Sequence, residues 1–112
     1  MLYASGMKLR IAITVPYADY ARQWRDEVAA QLPEAEVFID DGERAVADYA
    51  IGWKPPLDFF ERVTGLRAFL SAAAGVDHLL GHPGMPADLP IARIEDGGMG
   101  AQMAEYCCAE LF

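Results

Sequence analysis

The chain has 112 residues, 54% of them hydrophobic, which suits one small folded domain and argues against disorder. Its formal charge is −8, from 17 acidic and 9 basic residues, so its surface repels nucleic acid phosphates and anionic lipid and neither is expected as a partner. A small anionic substrate is not excluded, because backbone amides can create a local positive site.

Strand and helix patterns alternate along the chain. Leu9–Val15 is an apolar, β-branched run stopped by Pro16 and reads as a buried strand. Asp19 is the expected N-cap of a helix whose apolar face is Tyr20, Trp24, Val28 and Leu32, with Pro33 ending it. Ala35–Ile39 is a second strand, turned by Asp40-Asp41-Gly42, and Asp48–Trp53 a third. After Pro55 and Pro56, Phe59, Phe60 and Val63 give a short helix its buried side, with Gly65 as its C′ residue. Leu66–Ala72 is a fourth strand, and Ala73–Asp77 a tight turn into a short helix through Leu79 and Leu80. His82–Pro90, with Pro83, Gly84, Pro86 and Pro90, must be loop, and Ile91–Ile94 is the fifth strand. The turn Gly97-Gly98-Met99-Gly100 opens a last helix with Met103, Tyr106, Cys107 and Leu111 on one side.

Strands separated by crossovers predict an α/β fold: a five-stranded, parallel, doubly wound sheet of flavodoxin-like order 2-1-3-4-5. Ligands of such sheets sit at the carboxyl ends of the strands, which singles out the loops after Trp53, Ala73 and Asp96. The last helix has no C-cap glycine and no closing basic residue, so the chain is expected to be interrupted and its sheet incomplete without further residues. No apolar stretch reaches the roughly 18 residues that span a membrane, and Met1–Gly6 lacks the pattern of a signal peptide. The adjacent Cys107 and Cys108 suit small apolar residues in a reducing cytoplasm.

Each motif has a plain structural reading beside its functional one. The amides of Ala74, Gly75 and Val76, at a strand-to-helix turn, can receive a carboxylate, or the turn can be only a turn. Gly98-x-Gly100 imitates a dinucleotide fingerprint, but its third glycine position falls on Met103 and no acidic residue follows about 20 positions on. Trp53 can wall a pocket or pack in the core. His78 and His82 lack partners at metal spacing and read as surface or capping residues, so no metal is expected. Asp40 and Asp41 would suit a phospho-acceptor pocket, but Trp53-Lys54 and Glu95-Asp96 stand where a receiver domain needs its acceptor Asp and its Lys.

Taken together, Trp53-Lys54-Pro55-Pro56, Ala74-Gly75-Val76-Asp77 and the long run from Arg93 through Gly100 to Tyr106 resemble the D-isomer-specific 2-hydroxyacid dehydrogenases, in particular the glyoxylate/hydroxypyruvate reductase A branch. The resemblance covers essentially all of this chain but only the opening segment of a family member. It implies two doubly wound domains with the active site between them, of which residues 1–98 belong to the substrate-side domain and 99–112 begin the inter-domain helix. It further implies that the amides of Ala74, Gly75 and Val76 bind the substrate carboxylate and that Trp53 borders the pocket. Met99 and Gly100 then lie near the nicotinamide. Ala73 departs from the family, which usually has glycine there.

The coenzyme fingerprint and the family's catalytic Arg, Glu and His correspond to positions beyond Phe112, so no catalytic residue is assigned in this chain. The parent reaction would use NAD or NADP, neither of which is expected to bind this chain tightly. The expected partners are a small 2-oxoacid or 2-hydroxyacid and a second copy of the chain, in the cytoplasm. A different class stays open: a free-standing small-ligand or interaction module that self-associates through Met103, Tyr106, Leu111 and Phe112.

Overall fold

A computed structural model describes residues 8–71 and 77–93. The apolar run starting at Leu9 becomes β1 (Arg10–Thr14), whose Ile11, Ala12 and Ile13 have no exposed surface. A strand that buried must be covered on both faces, as parallel sheets are. Helix α1 (Ala18–Gln31) covers one face through Ala21 and Val28, and β2 (Glu36–Ile39) returns beside β1. The remaining main-sheet strands are β4 (Tyr49–Gly52), β6 (Ala68–Ser71) and β7 (Ile91–Arg93). All pairings are parallel and the order is β2-β1-β4-β6-β7, so the five long strands follow the expected 2-1-3-4-5.

Two buried clusters lie on the two faces. Leu9, Ile11, Ile13, Tyr49 and Leu70 cluster with Val28 of α1, while Ala12, Phe59, Val63, Phe69 and Leu79 pack under the other crossovers. There α2 (Phe59–Arg62) and α3 (Asp77–Leu80) are single turns of helix.

Several local expectations are corrected. The N-cap of α1 is Tyr17, with no side-chain capping bond, and Asp19 sits inside the first turn, where its charge still suits the helix dipole. Val28 and Leu32 are buried as the four-residue spacing implies, but Tyr20 is 53% exposed and Ala21 takes its place in the core. The segment between β2 and β4 is too short for a covering helix. It forms instead β3 (Ala45–Val46), which pairs in parallel with β5 (Val63–Thr64) outside the main sheet. Val63 is therefore strand and not helix. Gly65 has the left-handed φ of +85° expected of a C′ glycine, but it follows β5.

Candidate functional site

Between β1 and β4 the strand order reverses, because the chain leaves β1 for β2 on one side and returns to β4 on the other. The carboxyl ends of such a pair diverge and leave a crevice. Here β1 ends in Thr14-Val15-Pro16 and β4 in Gly52-Trp53-Lys54. A cavity of about 330 Å³ opens at this point, lined by Thr14, Val15, Pro16, Asp40, Lys54 and Pro56.

The two strands touch unusually closely there. A Cβ on Gly52 would lie 2.0 Å from the Thr14 carbonyl oxygen and 2.5 Å from its Cγ2, so only glycine fits. The Trp53 N–H donates to the same Thr14 oxygen at 3.0 Å. The half-buried Trp53 ring stacks on Tyr17 with centroids 6.1 Å apart and planes 27° apart. Tyr20 meets Tyr17 edge-on at 5.8 Å and stacks on Trp24 at 6.3 Å, extending the aromatic row along α1.

Lys54 is the positive-φ residue other than glycine among the described residues, at φ 51°. A residue before proline is normally extended, so this conformation runs against both its Cβ and Pro55 and costs about 1 kcal/mol. Its Nζ lies 4.5 Å from the centroid of the Trp53 ring, a cation–π contact.

Two fastenings hold the crevice in shape. The Arg62 guanidinium donates through two nitrogens to both oxygens of Asp40, at 2.8 and 3.1 Å, through Nε to Asp58 at 2.9 Å, and to the Glu43 carbonyl at 3.1 Å. The Arg62 and Asp40 side chains are only 11% and 7% exposed. Its hydrogen bonds to Asp40 and then to Asp58 push the already high Arg62 pKa further up, and the same bond from Arg62 holds Asp58 below the usual carboxylate value. The second fastening is His82. Its Nδ1 accepts from the Gly84 N–H at 3.0 Å, which leaves Nε2 to donate to the Pro56 carbonyl at 2.9 Å. His82 is thus buried, neither on the surface nor shown as a helix cap, and its ring bridges two loop segments.

Trp53 follows β4 at the carboxyl edge but is not among the residues that line the cavity. The other site residues named from the sequence, Ala74, Gly75, Val76, Met99 and Gly100, lie outside the described residues, as does the apolar end at Met103, Tyr106, Leu111 and Phe112. They follow β6 and β7, whose carboxyl ends are on this same edge. Sequence reasoning gave Lys54, Arg62 and His82 no role at the crevice. Only Lys54 had a local signal, its place between a strand-ending Trp and two prolines. A larger cavity, about 440 Å³, lies at the other edge, walled by Gly65, Leu66 and Arg67 before β6 and by Pro86, Asp88 and Pro90 before β7. The amino ends of parallel strands are not where such folds bind ligands, and the smaller crevice is the better candidate. No helix among the described residues is long and apolar enough to cross a membrane.

The reversal of strand order marks a doubly wound α/β domain. No family model matches the chain. Its sequence is 38% identical over 95 residues to the glyoxylate/hydroxypyruvate reductase A of Yersinia enterocolitica, spanning 80% of this chain and 30% of the relative. It is likewise 38% identical over 100 residues to that of Photorhabdus laumondii, spanning 84% and 32%. A solved D-isomer-specific 2-hydroxyacid dehydrogenase family protein from Klebsiella pneumoniae superposes with a TM-score of 0.68 at 28% identity, covering 92% of this chain and 33% of its own. The NADPH-dependent glyoxylate/hydroxypyruvate reductase of Sinorhizobium meliloti, solved with NADP and sulfate, gives 0.61 at 30% identity, covering 93% and 34%. By sequence and fold the chain is similar to the D-isomer-specific 2-hydroxyacid dehydrogenases, and it spans about a third of the length of the relatives it matches.

Proposed function

We propose that these residues form the substrate-side segment of an NAD(P)-dependent reductase that converts a small 2-oxoacid of the glyoxylate/hydroxypyruvate type to its 2-hydroxyacid. The carrying observation is the crevice at the β1–β4 reversal, shaped by close strand contact and two fastenings, in a chain 38% identical to such reductases over 95 residues. Its volume of about 330 Å³ is at the small end of ligand pockets and suits an acid of a few heavy atoms, not a dinucleotide.

NADH or NADPH, when held by the whole protein, would supply the hydride. The residues of this chain hold and orient the acid. Trp53 borders the crevice, the amides of Ala74, Gly75 and Val76 take the carboxylate, and Met99 and Gly100 face the nicotinamide side. In this reading residues 1–98 are the substrate-side domain and 99–112 lead toward the coenzyme domain. The 112 residues alone do not turn over substrate, since they correspond to about 30% of a relative's length.

The test is a chimera in which residues 1–112 replace the matching segment of the Sinorhizobium reductase. It should oxidise NADPH with glyoxylate or hydroxypyruvate, whereas the 112-residue chain should not. A folded chimera that binds NADPH but reduces neither acid overturns the assignment, and turnover by the short chain overturns its dependence on a second domain.

A further inference from the structure

We propose that Lys54 sets substrate choice at the crevice, by receiving a second carboxylate on the tail of the bound acid; this rests on the crevice being the acid site. The chain carries a net charge of −8, so a cavity whose available charge is positive is an exception to its surface. Two charged side chains line it, Lys54 and Asp40. The Asp40 carboxylate has both oxygens engaged by Arg62 and is 7% exposed, so it is already paired. Lys54 is exposed, and its contact among the described residues is the face of Trp53 and not a carboxylate. An ammonium on an indole face keeps its other N–H donors directed outward, toward an incoming anion.

The backbone supports the same reading. The left-handed Lys54, between a Trp whose N–H is held by Thr14 and a buried Pro55, is an unfavourable conformation kept by its surroundings. The His82 bond to the Pro56 carbonyl fixes the next residue but one. A lysine merely decorating the surface would need none of this. The ligand chemistry follows from the donors present. Arg62, the guanidinium suited to a phosphoryl group, is committed to Asp40 and Asp58, and one ammonium remains. That suits a carboxylate, hence a small dicarboxylic 2-oxoacid or 2-hydroxyacid.

The experiment follows the Trp53 indole N–H by NMR in the nitrogen-labelled 112-residue chain, during titration with D-glycerate or tartronate. These 2-hydroxyacids differ in having a CH₂OH or a carboxylate tail. Tartronate should bind about 5-fold more tightly, as one partly exposed ion pair allows. Lys54→Met should abolish that preference while changing D-glycerate affinity less than about 2-fold, and Lys54→Arg should keep it. A preference that survives Lys54→Met, or is absent from the unsubstituted chain while D-glycerate still binds, overturns the role of Lys54 and leaves the acid site standing. Sulfate at matched ionic strength reproducing the tartronate shifts would reduce the effect to non-selective anion binding and also overturn it. If neither acid moves the signal up to about 100 mM, the crevice itself is not the acid site and both readings fall.

Discussion

The two edges of the main sheet are built on opposite plans. At the amino edge, Asp48 ties three strand entries together. Its carboxylate accepts the Arg10 N–H at 2.8 Å, its own N–H donates to the Arg10 carbonyl at 2.8 Å, and its carbonyl accepts the Arg67 N–H at 2.7 Å. Arg10 then donates to the Val46 carbonyl, pairs with Glu36 and lies 4.8 Å over the Phe38 ring. These polar groups satisfy one another across the strand ends. At the carboxyl edge the strong contacts lie to the side, Arg62 on Asp40 and His82 on Pro56, and they brace a crevice instead of filling it. The same edge carries the left-handed Lys54 and the exposed faces of Tyr17 and Tyr20. The amino ends of β1, β4 and β6 are tied by paired polar groups, whereas the carboxyl ends of β1 and β4 flank a crevice beside a strained residue.

The contrast can be broken most directly at its two arginines. Arg62→Met leaves the Asp40 carboxylate, 7% exposed, without its partner, and should lower unfolding free energy by about 3–5 kcal/mol. Arg10→Met removes a pair whose members are 37% and 49% exposed, and should cost about 1 kcal/mol. Urea denaturation of the two variants measures both. Equal losses would mean that the edges are braced alike.

Gly52 sharpens the comparison at the crevice itself. A methyl group there must displace the Thr14 backbone, so Gly52→Ala should cost about 3 kcal/mol or more. Gly42→Ala, at φ +87° with nothing within 4 Å, meets only backbone strain and should cost about 1 kcal/mol. Thermal unfolding of the pair separates steric closeness from conformational preference.

How much of this could be read in advance depended on the range of the interaction. The sheet order was legible because Ile11, Ala12, Ile13, Ile51 and Leu70 lie in short apolar runs separated by turn residues, and parallel connections leave few topologies. The pair β3–β5 was not, since two-residue strands carry no period. The i, i+4 spacing of Tyr20, Trp24, Val28 and Leu32 was correct for the far end of α1 and wrong at Tyr20, which turns out to join the aromatic row beside Trp53. Trp53 could be placed because a strand end and two prolines fix it locally. Arg62 and Asp40 are 22 residues apart, and nothing in either neighbourhood announces their pairing. The conformation of Lys54 contradicts the local rule for a residue before proline, which is why it carries information about the site.

The smallest expected effect concerns the outer partner of Arg62. Asp58 accepts from Arg62 Nε at 2.9 Å, with its side chain 57% exposed, and that hydrogen bond lowers its pKa below the ordinary 3.8, against a smaller opposing effect of desolvation. The unfolded chain therefore takes up a proton at higher pH than the folded one. The contribution is complete above the unfolded value and is lost as pH falls through the folded one. Asp58→Asn should accordingly be less stable than the unsubstituted chain by a constant margin above about pH 5, and the margin should shrink progressively below 3.8. Denaturation midpoints collected across the acid range test this. A margin unchanged by acid would make Asp58 a neutral hydrogen-bond acceptor, and would leave Asp40 as the carboxylate whose charge fastens Arg62 to the crevice.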